Sequence, residues 1–412
     1  MKILMAHPTG NSNVRAVLHA LAESAMLAEF NTTIAVDTNG PWRALFGKKL
    51  TDQLLRRNYQ IPAKMLKSHP LREFARITFP RIRLGSLTAP ENSWASIDSV
   101  YRNLDKRTAR RIKINSSLID GYYGYEDGAL ASFKIAKELG LTCIYDLPIA
   151  YWETGRKLMQ EEADRLPEWA RTLGGGINDS EQKLERKTKE MELADIVITP
   201  GDFVKNSLPK WAAAKTVVVA PFGSPACQMQ EAHQSPSVKA KKLRILFVGS
   251  MSQRKGLGDL FNAFKLLQTC QIELIVMGSL QAPLAFYKSQ LSSFTYMSNR
   301  PHHQVLELMQ SCDILCLPSI VEGRALVMQE AMSQGLPIII TANTGGSDLI
   351  VDEQTGFLVP IRSPQVLAEK LEWFLCNKRR ISEMGAAAKA KASTYTWEAY
   401  GATIVSALRE HA

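Results

Sequence analysis

The chain of 412 residues has no apolar run approaching the ~20 residues that a membrane-spanning helix needs, so none is expected. Its first residues, Met1-Lys2-Ile3-Leu4-Met5-Ala6-His7, hold too short an apolar stretch for a signal peptide and run straight into strand-like sequence. There is no C-x-x-C pair. The six cysteines are scattered, several in apolar strand-like runs, which argues against zinc and for reduced thiols in a cytoplasmic setting. The fingerprint G-x-G-x-x-G does not follow the first strand, which weakens a dinucleotide-dehydrogenase reading. Acidic residues are scarce between Arg43 and Arg83, where Asp52 and Glu73 alone oppose Lys48, Lys49, Arg56, Arg57, Lys64, Lys67, Arg72, Arg76, Arg81 and Arg83.

What is present is a globular composition, 45% hydrophobic and 22% charged, with a formal charge of +10 that points to an anionic partner. The length exceeds one ordinary core, so two domains are the default. Lys2 to Ala6 reads as a strand, His7 to Asn13 as a polar loop, then a helix, with a second strand expected at Thr32 to Val36: a βαβ opening. Short strands flanked by helical sequence recur at Ser117–Tyr123, Leu141–Asp146, Asp195–Thr199 and Thr216–Ala220. They are apolar on both faces, as in a parallel sheet covered by helices. Pro, Ser, Gln and His enrich 221–242, the expected linker, after which a second α/β unit begins at Arg244. The expected organisation is a first domain over 1–220, carrying a basic helical insertion at about 43–113. A second domain follows over 243–390, then a C-terminal helix, 391–412, expected to cross back to the first domain. Two such domains place a ligand in the cleft between them.

The basic stretch interleaves Leu45, Phe46, Leu54, Leu55, Met65, Leu66, Leu71 and Phe74 with its charges, and a second cluster follows at Arg102 to Lys113. It reads equally as a surface for anionic lipid headgroups or an anionic acceptor, or as a solubilising helical face. No nucleic-acid recognition motif accompanies the charge, so nucleic acid is not an expected partner.

Chemistry concentrates after the apolar run Cys312–Leu317. Pro318-Ser319-Ile320-Val321-Glu322-Gly323-Arg324-Ala325-Leu326 turns at a glycine into helical sequence that stops at Gly335. Such a strand-to-helix turn leaves backbone N–H groups and the positive end of the helix dipole facing an anion. Glu322 and Glu330 flank it, about 12 Å apart at helical rise, suited to hydroxyls on either side of a diphosphate. Earlier in the same domain, Gly249 to Gly256 contains Arg254 and Lys255, a guanidinium fork and a point charge for phosphates. Together they describe a nucleoside-diphosphate-sugar site.

Phe247-Val248-Gly249 with Arg254-Lys255-Gly256, Asp313 to Ser319, the pair Glu322/Glu330 in E-x7-E spacing, Ala331 to Ile338, Gly345-Gly346-Ser347 and Thr355 to Val359 occur in order. This run resembles retaining glycosyltransferase family 4. The resemblance implies the GT-B fold, two facing Rossmann-like domains with parallel sheets and a cleft between them. It implies catalytic roles for Glu322, Arg254 and Lys255: Arg254 and Lys255 would hold the diphosphate and Glu322 sugar hydroxyls. Glu330 would bind the ribose, and Asn299 and Arg300 lie in the loop that would hold the base. Gly249, Gly10 and the turn Gly323, Arg324, Ala325 and Leu326 would complete the donor site, with no metal and no cofactor.

Arg324 departs from the family pattern, which makes it a candidate for an extra phosphate or acceptor contact. Where the family often has a first-domain histidine, this chain reads Tyr125, Glu126 and Asp127, candidates for positioning the sugar or acceptor, or for capping the next helix. His7 could face the cleft, although a lone histidine is more often structural. The resulting expectation is a retaining, metal-independent transfer of a hexose-type sugar from a nucleotide-sugar donor to an acceptor hydroxyl. The setting would be cytoplasmic, with peripheral contact at the inner face of the plasma membrane through 43–113. Rivals are a nucleotide-sugar epimerase or phosphorylase on the same fold, a non-catalytic nucleotide-sugar binding protein, and a basic membrane-surface adaptor.

Overall fold

The computed structural model describes residues 1–37, 48–225, 242–267 and 269–411. Most of the expected linker, 226–241, lies outside the described residues, as does the start of the basic stretch with Arg43, Leu45 and Phe46.

Seven described strands build the first sheet: β1 (Ile3–Ala6), β2 (Leu27–Thr32), β3 (Leu66–Ser68), β4 (Gly121–Tyr125), β5 (Thr142–Asp146), β6 (Ile196–Thr199) and β7 (Thr216–Val219). Their order is β3-β2-β1-β4-β5-β6-β7, every pair parallel. Six build the second: β8 (Leu243–Val248), β9 (Ile272–Met277), β10 (Thr295–Met297), β11 (Ile314–Leu317), β12 (Ile338–Thr341) and β13 (Gly356–Val359). The order is β10-β9-β8-β11-β12-β13, again all parallel. Helices cover both faces, and each sheet has its own apolar core. In each sheet the strand order reverses once, between β1 and β4 and between β8 and β11, and that reversal opens a crevice at the carboxyl ends of the strands.

The second strand lies five residues earlier than Thr32–Val36. Leu27 and Phe30 supply its apolar contacts, while Glu29 and Asn31 are buried polar residues that disguise it as loop. Glu29 is paired, since Asn31 Nδ2 donates to it at 2.9 Å and Arg111 Nε donates to the same oxygen at 2.9 Å, whereas Asn31 Oδ1 has no partner among the described residues. The strand near residue 120 likewise starts at Gly121, after a turn.

The basic stretch is not purely helical, since β3 within it extends the sheet edge. Several of its cations point inward. Arg57 and Arg76 both pair with buried Glu73 at 2.7 Å.

The helix Trp397–Glu410 packs on the first domain, burying Tyr400, Ile404, Val405 and Leu408 in its core. Opposite, helix Trp152–Arg165 carries a latch to the second domain. Buried Glu162 accepts from Arg165, Arg362 and Gln253, and Arg165 also reaches Asp259 at 2.7 Å.

Candidate functional site

The two crevices meet in a cleft of about 820 Å³ lined by the loops after β1, β4, β8 and β11 and by residues from the helices Ile97–Ile114, Glu181–Leu193 and His302–Gln310. From the second domain come Val248, Gly249, Lys255 and Glu322, with the turn from Arg324 to Val327 behind them.

Glu322 is the electrostatic centre of that wall. Lys255 Nζ lies 2.6 Å from its Oε1, and Arg254 Nη1 contacts the same oxygen while donating to Val321 O at 3.0 Å. Burial pushes the Glu322 carboxyl up, but Lys255 and Arg254 outweigh it and hold the group below its ordinary range. Burial lowers Lys255 despite the attraction of Glu322. Two cations thus share one carboxylate, leaving a net positive charge in a desolvated pocket. Gly249 reaches this wall with φ +152, a backbone that glycine tolerates, and its amide donates to Met277 O at 3.0 Å just past β8.

Gly323 serves domain contact as much as ligand access: a Cβ there would lie 1.7 Å from Pro148 O of the first domain. Next to it, the Ala150 amide donates to Glu322 O at 3.3 Å. Helix Leu326–Ser333 opens without a side-chain cap, while the amide of Ala325 is already donated to Thr344 O at 3.2 Å. The amides left for an anion are therefore those of Leu326 and Val327.

Arg324 borders the cleft through its backbone, yet its side chain is 0% exposed and turned away from any phosphate. It donates to Asp348 at 2.8 Å, Gly345 O at 3.1 Å and Gln329 at 2.9 Å, and lies over the Tyr395 ring. With its side chain enclosed and its Nε and Nη1 engaged by three acceptors, Arg324 braces the turn rather than making the extra contact expected, and its buried Nη2 has no hydrogen-bond partner among the described residues. Glu330 lines the cleft with His302 Nδ1 3.7 Å away; burial raises its carboxyl, and His302 opposes that. Asn299 and Arg300 are exposed and outside the cleft lining, whereas His302 and Val305, just downstream, are part of it.

The first-domain wall comprises His7, Asn11 to Asn13, Asp98, Tyr101, Tyr125 to Asp127 and Lys183. Gly10 lies behind it with φ +62, and its missing Cβ leaves room for the Tyr59 ring, 2.4 Å from where that atom would be. Glu126 and Asp127 belong to an ion network: Lys187 is 3.3 Å from Glu126, and Arg186 is 2.8 Å from Asp127. Lys183 joins Asp98 at 3.4 Å to Asp179 at 2.9 Å. Neither Glu126 nor Asp127 caps the following helix, Leu130–Glu138. Glu190 accepts from the Ala129 and Leu130 amides, and Asp105 from those of Ala131 and Ser132.

Behind Tyr125, buried Asp146 accepts from Tyr123 at 2.8 Å and is flanked by Tyr125 and Tyr400. Burial outweighs these hydroxyls and raises the carboxyl from 3.8 to about 7. Between those pH values the folded chain keeps a proton that the unfolded chain has released, so stability is highest near the lower value and falls as pH rises. Asp146→Asn is expected to gain on the wild type in melting temperature from pH 5 to pH 8. Glu190, raised to about 8, adds to the same slope, so the slope shrinks without vanishing. An equal melting-temperature difference at both pH values would count against a neutral Asp146.

Among the described residues, no group of three or more His, Cys, Asp or Glu is placed to hold a metal ion, and no helix is long and apolar enough to cross a bilayer. Asp98, Tyr101, Lys183 and His302 had no local signal in the sequence, since each reaches the cleft from a distant element.

The paired parallel sheets and their cleft form the GT-B architecture of nucleotide-sugar glycosyltransferases. Residues 228–391 match the family model described as glycosyl transferases group 1. An uncharacterized glycosyltransferase of Bacillus subtilis, YqgM, is 29% identical over 206 residues, 47% of this chain and 56% of that protein. The D-inositol 3-phosphate glycosyltransferase of Corynebacterium diphtheriae is 33% identical over 105 residues, 25% of this chain and 24% of that protein. The matched stretches thus span from about a quarter to just over half of these relatives. In solved structures the fold recurs along the full chain. Anabaena HepE in complex with UDP superposes with a TM-score of 0.62 at 15% identity, covering 100% of both chains. Sucrose-phosphate synthase of Thermosynechococcus elongatus gives 0.61 at 17%, covering 100% of this chain and 98% of that one.

Proposed function

We propose that the protein is a retaining glycosyltransferase that moves a hexose-type sugar from a nucleoside-diphosphate sugar to an acceptor hydroxyl, without a metal or other cofactor. The observation that carries this reading is the convergence on Glu322 of Lys255, which lines the cleft, and Arg254, which lies outside its lining, at the mouth of an uncapped helix and between two strand-order reversals. The glycosyltransferase names of the relatives, and the UDP held by Anabaena HepE, support it.

In the proposed reaction the bond from the sugar's anomeric carbon to the diphosphate breaks while the acceptor oxygen bonds to that carbon from the same face. The acceptor proton passes to the departing phosphate oxygen. Lys255, Arg254 and the amides of Leu326 and Val327 offset the growing phosphate charge, the part a divalent cation plays elsewhere. Glu322 accepts from donor-sugar hydroxyls and Glu330 from the ribose. Asp98, Glu126, Asp127 and Lys183 line the opposite wall, where an acceptor must enter.

The test is a panel of UDP-, GDP- and ADP-sugars, read first by calorimetry and then by product analysis with hydroxyl acceptors in EDTA. Retention requires that the anomeric configuration of donor and product agree by NMR. No binding by any nucleotide sugar defeats the reading, and an inverted product defeats its stereochemical part.

A cytoplasmic protein resting on the inner face of the plasma membrane fits the surface beside the cleft. Arg83, Lys106, Arg107 and Arg110 are exposed there, among Leu71 (67% exposed), Trp94 (42%) and Ile97 (60%). Cations with apolar tips and a tryptophan suit anionic headgroups over an acyl boundary. Co-sedimentation with vesicles containing phosphatidylglycerol should exceed that with neutral vesicles and fall as salt rises; equal recovery from both would remove the membrane from the proposal.

A further inference from the structure

We infer that His7 is a fixed, uncharged hydrogen-bond donor in the cleft, its Nε2–H aimed at a hydroxyl oxygen of the transferred sugar or of the acceptor. This rests on the glycosyl-transfer reading above and adds a positioning residue to it.

His7 stands directly after β1, in the loop that opens the first-domain crevice. Its Nδ1 accepts two backbone bonds, from the amides of Thr9 and Gly10, each at 3.0 Å. A ring nitrogen that accepts carries no proton, so in the neutral ring the proton resides on Nε2. The ring plane is set by edge contacts with Tyr125, 4.7 Å between centroids, and Tyr101, 6.2 Å. The loop itself is pinned, since Pro8 O accepts from Arg57 at 3.1 Å and from Thr33. His7 borders the cleft, and among the described residues its Nε2 has no protein partner.

Burial and the nearby Arg57 guanidinium lower the imidazole to about 3, so it stays neutral across physiological pH. Neutrality matters chemically. A second-domain wall bearing Arg254 and Lys255, and a sugar gaining positive charge as its bond to phosphate breaks, would both repel an imidazolium. A neutral N–H orients a hydroxyl without that repulsion.

The experiment compares wild-type protein with His7→Asn and His7→Gln. Asparagine keeps an oxygen near the Nδ1 position for the loop amides but removes the donor in the cleft; glutamine keeps a donor near the Nε2 position. His7→Asn is expected to lose about tenfold in kcat/KM for transfer, uniformly from pH 5.5 to 8, with His7→Gln recovering part of the loss. In 15N spectra of the wild type, the His7 ring should show the Nε2–H tautomer throughout that range, and Nε2 should shift on adding ligand. If the partner is the donor sugar, His7→Asn also narrows the affinity gap between nucleotide sugar and free nucleoside diphosphate. If it is the acceptor, acceptor KM rises while donor affinity holds.

Wild-type transfer rates in His7→Asn, a protonated Nδ1, or an Nε2 signal unmoved by either ligand would each overturn the inference alone. The nitrogen spectrum decides even if a variant misfolds. A wild type that binds no nucleotide sugar would instead overturn the transfer reading, and this inference with it.

Discussion

Glu322→Gln is expected to lower sugar-transfer turnover by about 10²- to 10³-fold while leaving nucleoside-diphosphate affinity within about threefold of the wild type. The amide fills the same space, but it no longer neutralises Lys255 and Arg254, which meet at a single oxygen of the native carboxylate. It also cannot accept two hydroxyl bonds as an anion does. The phosphate-facing cations remain, so binding of the free nucleotide is spared. Lys255→Ala should behave differently, because it removes a phosphate contact and leaves a buried carboxylate with one cation fewer. Donor affinity and turnover are then expected to fall together. Calorimetry with the nucleoside diphosphate and steady-state transfer rates separate the two patterns. Unchanged rates in both variants would show that this carboxylate and its cations are not the reacting centre.

Gly323→Ala is expected to produce the second large loss, about 100-fold or more in transfer, through shape alone. A Cβ would lie 1.7 Å from Pro148 O and 2.7 Å from its carbonyl carbon, both rigid backbone. The turn must back away or the domains must part, and either displaces the neighbouring Glu322 by enough to spoil alignment. Overpacking of this kind costs roughly 1–3 kcal/mol in stability, so the variant should still fold. Gly174→Ala, where an added Cβ meets nothing within 4 Å, is the matched control and should be silent. A Gly323→Ala enzyme with wild-type kinetics would show that the contact with Pro148 is dispensable.

The second-domain half of this cleft was legible in the sequence because its chemistry is local. Glu322 and Glu330 flank one turn, and Arg254-Lys255 follow a strand of the same sheet, so spacing alone assembles them. Arg324 was misjudged for a simple reason: nothing local shows that Asp348, 24 residues later, and Gly345 fold back to receive its guanidinium. Asn299 and Arg300 versus His302 is an error of two or three residues in a loop, enough to exchange exposure for a place on the wall.

The first-domain wall was largely illegible. Its cap on helix Leu130–Glu138 comes from Glu190 and Asp105 rather than from the adjacent Asp127, and Lys183 arrives from a helix more than fifty residues away. The polar residues of β2 hid a strand because Arg111, from another element, satisfies Glu29. Tertiary partners decide such positions, and a linear reading cannot supply them.

The latch centred on Glu162 has a mechanical consequence. Gln253 Nε2 donates to Glu162 of the first domain at 2.7 Å and to Asp259 of the second at 2.8 Å, and its backbone amide donates to Thr172 Oγ1 at 3.0 Å. Gln253 is also the residue just before Arg254 and Lys255. The loop that carries Arg254 and Lys255 is therefore tethered to both domains, and any change in the angle between them pulls on the very backbone that aims the two cations. On the proposed function, grip on the donor and the opening of the jaws become one degree of freedom, with Glu162 as its fulcrum.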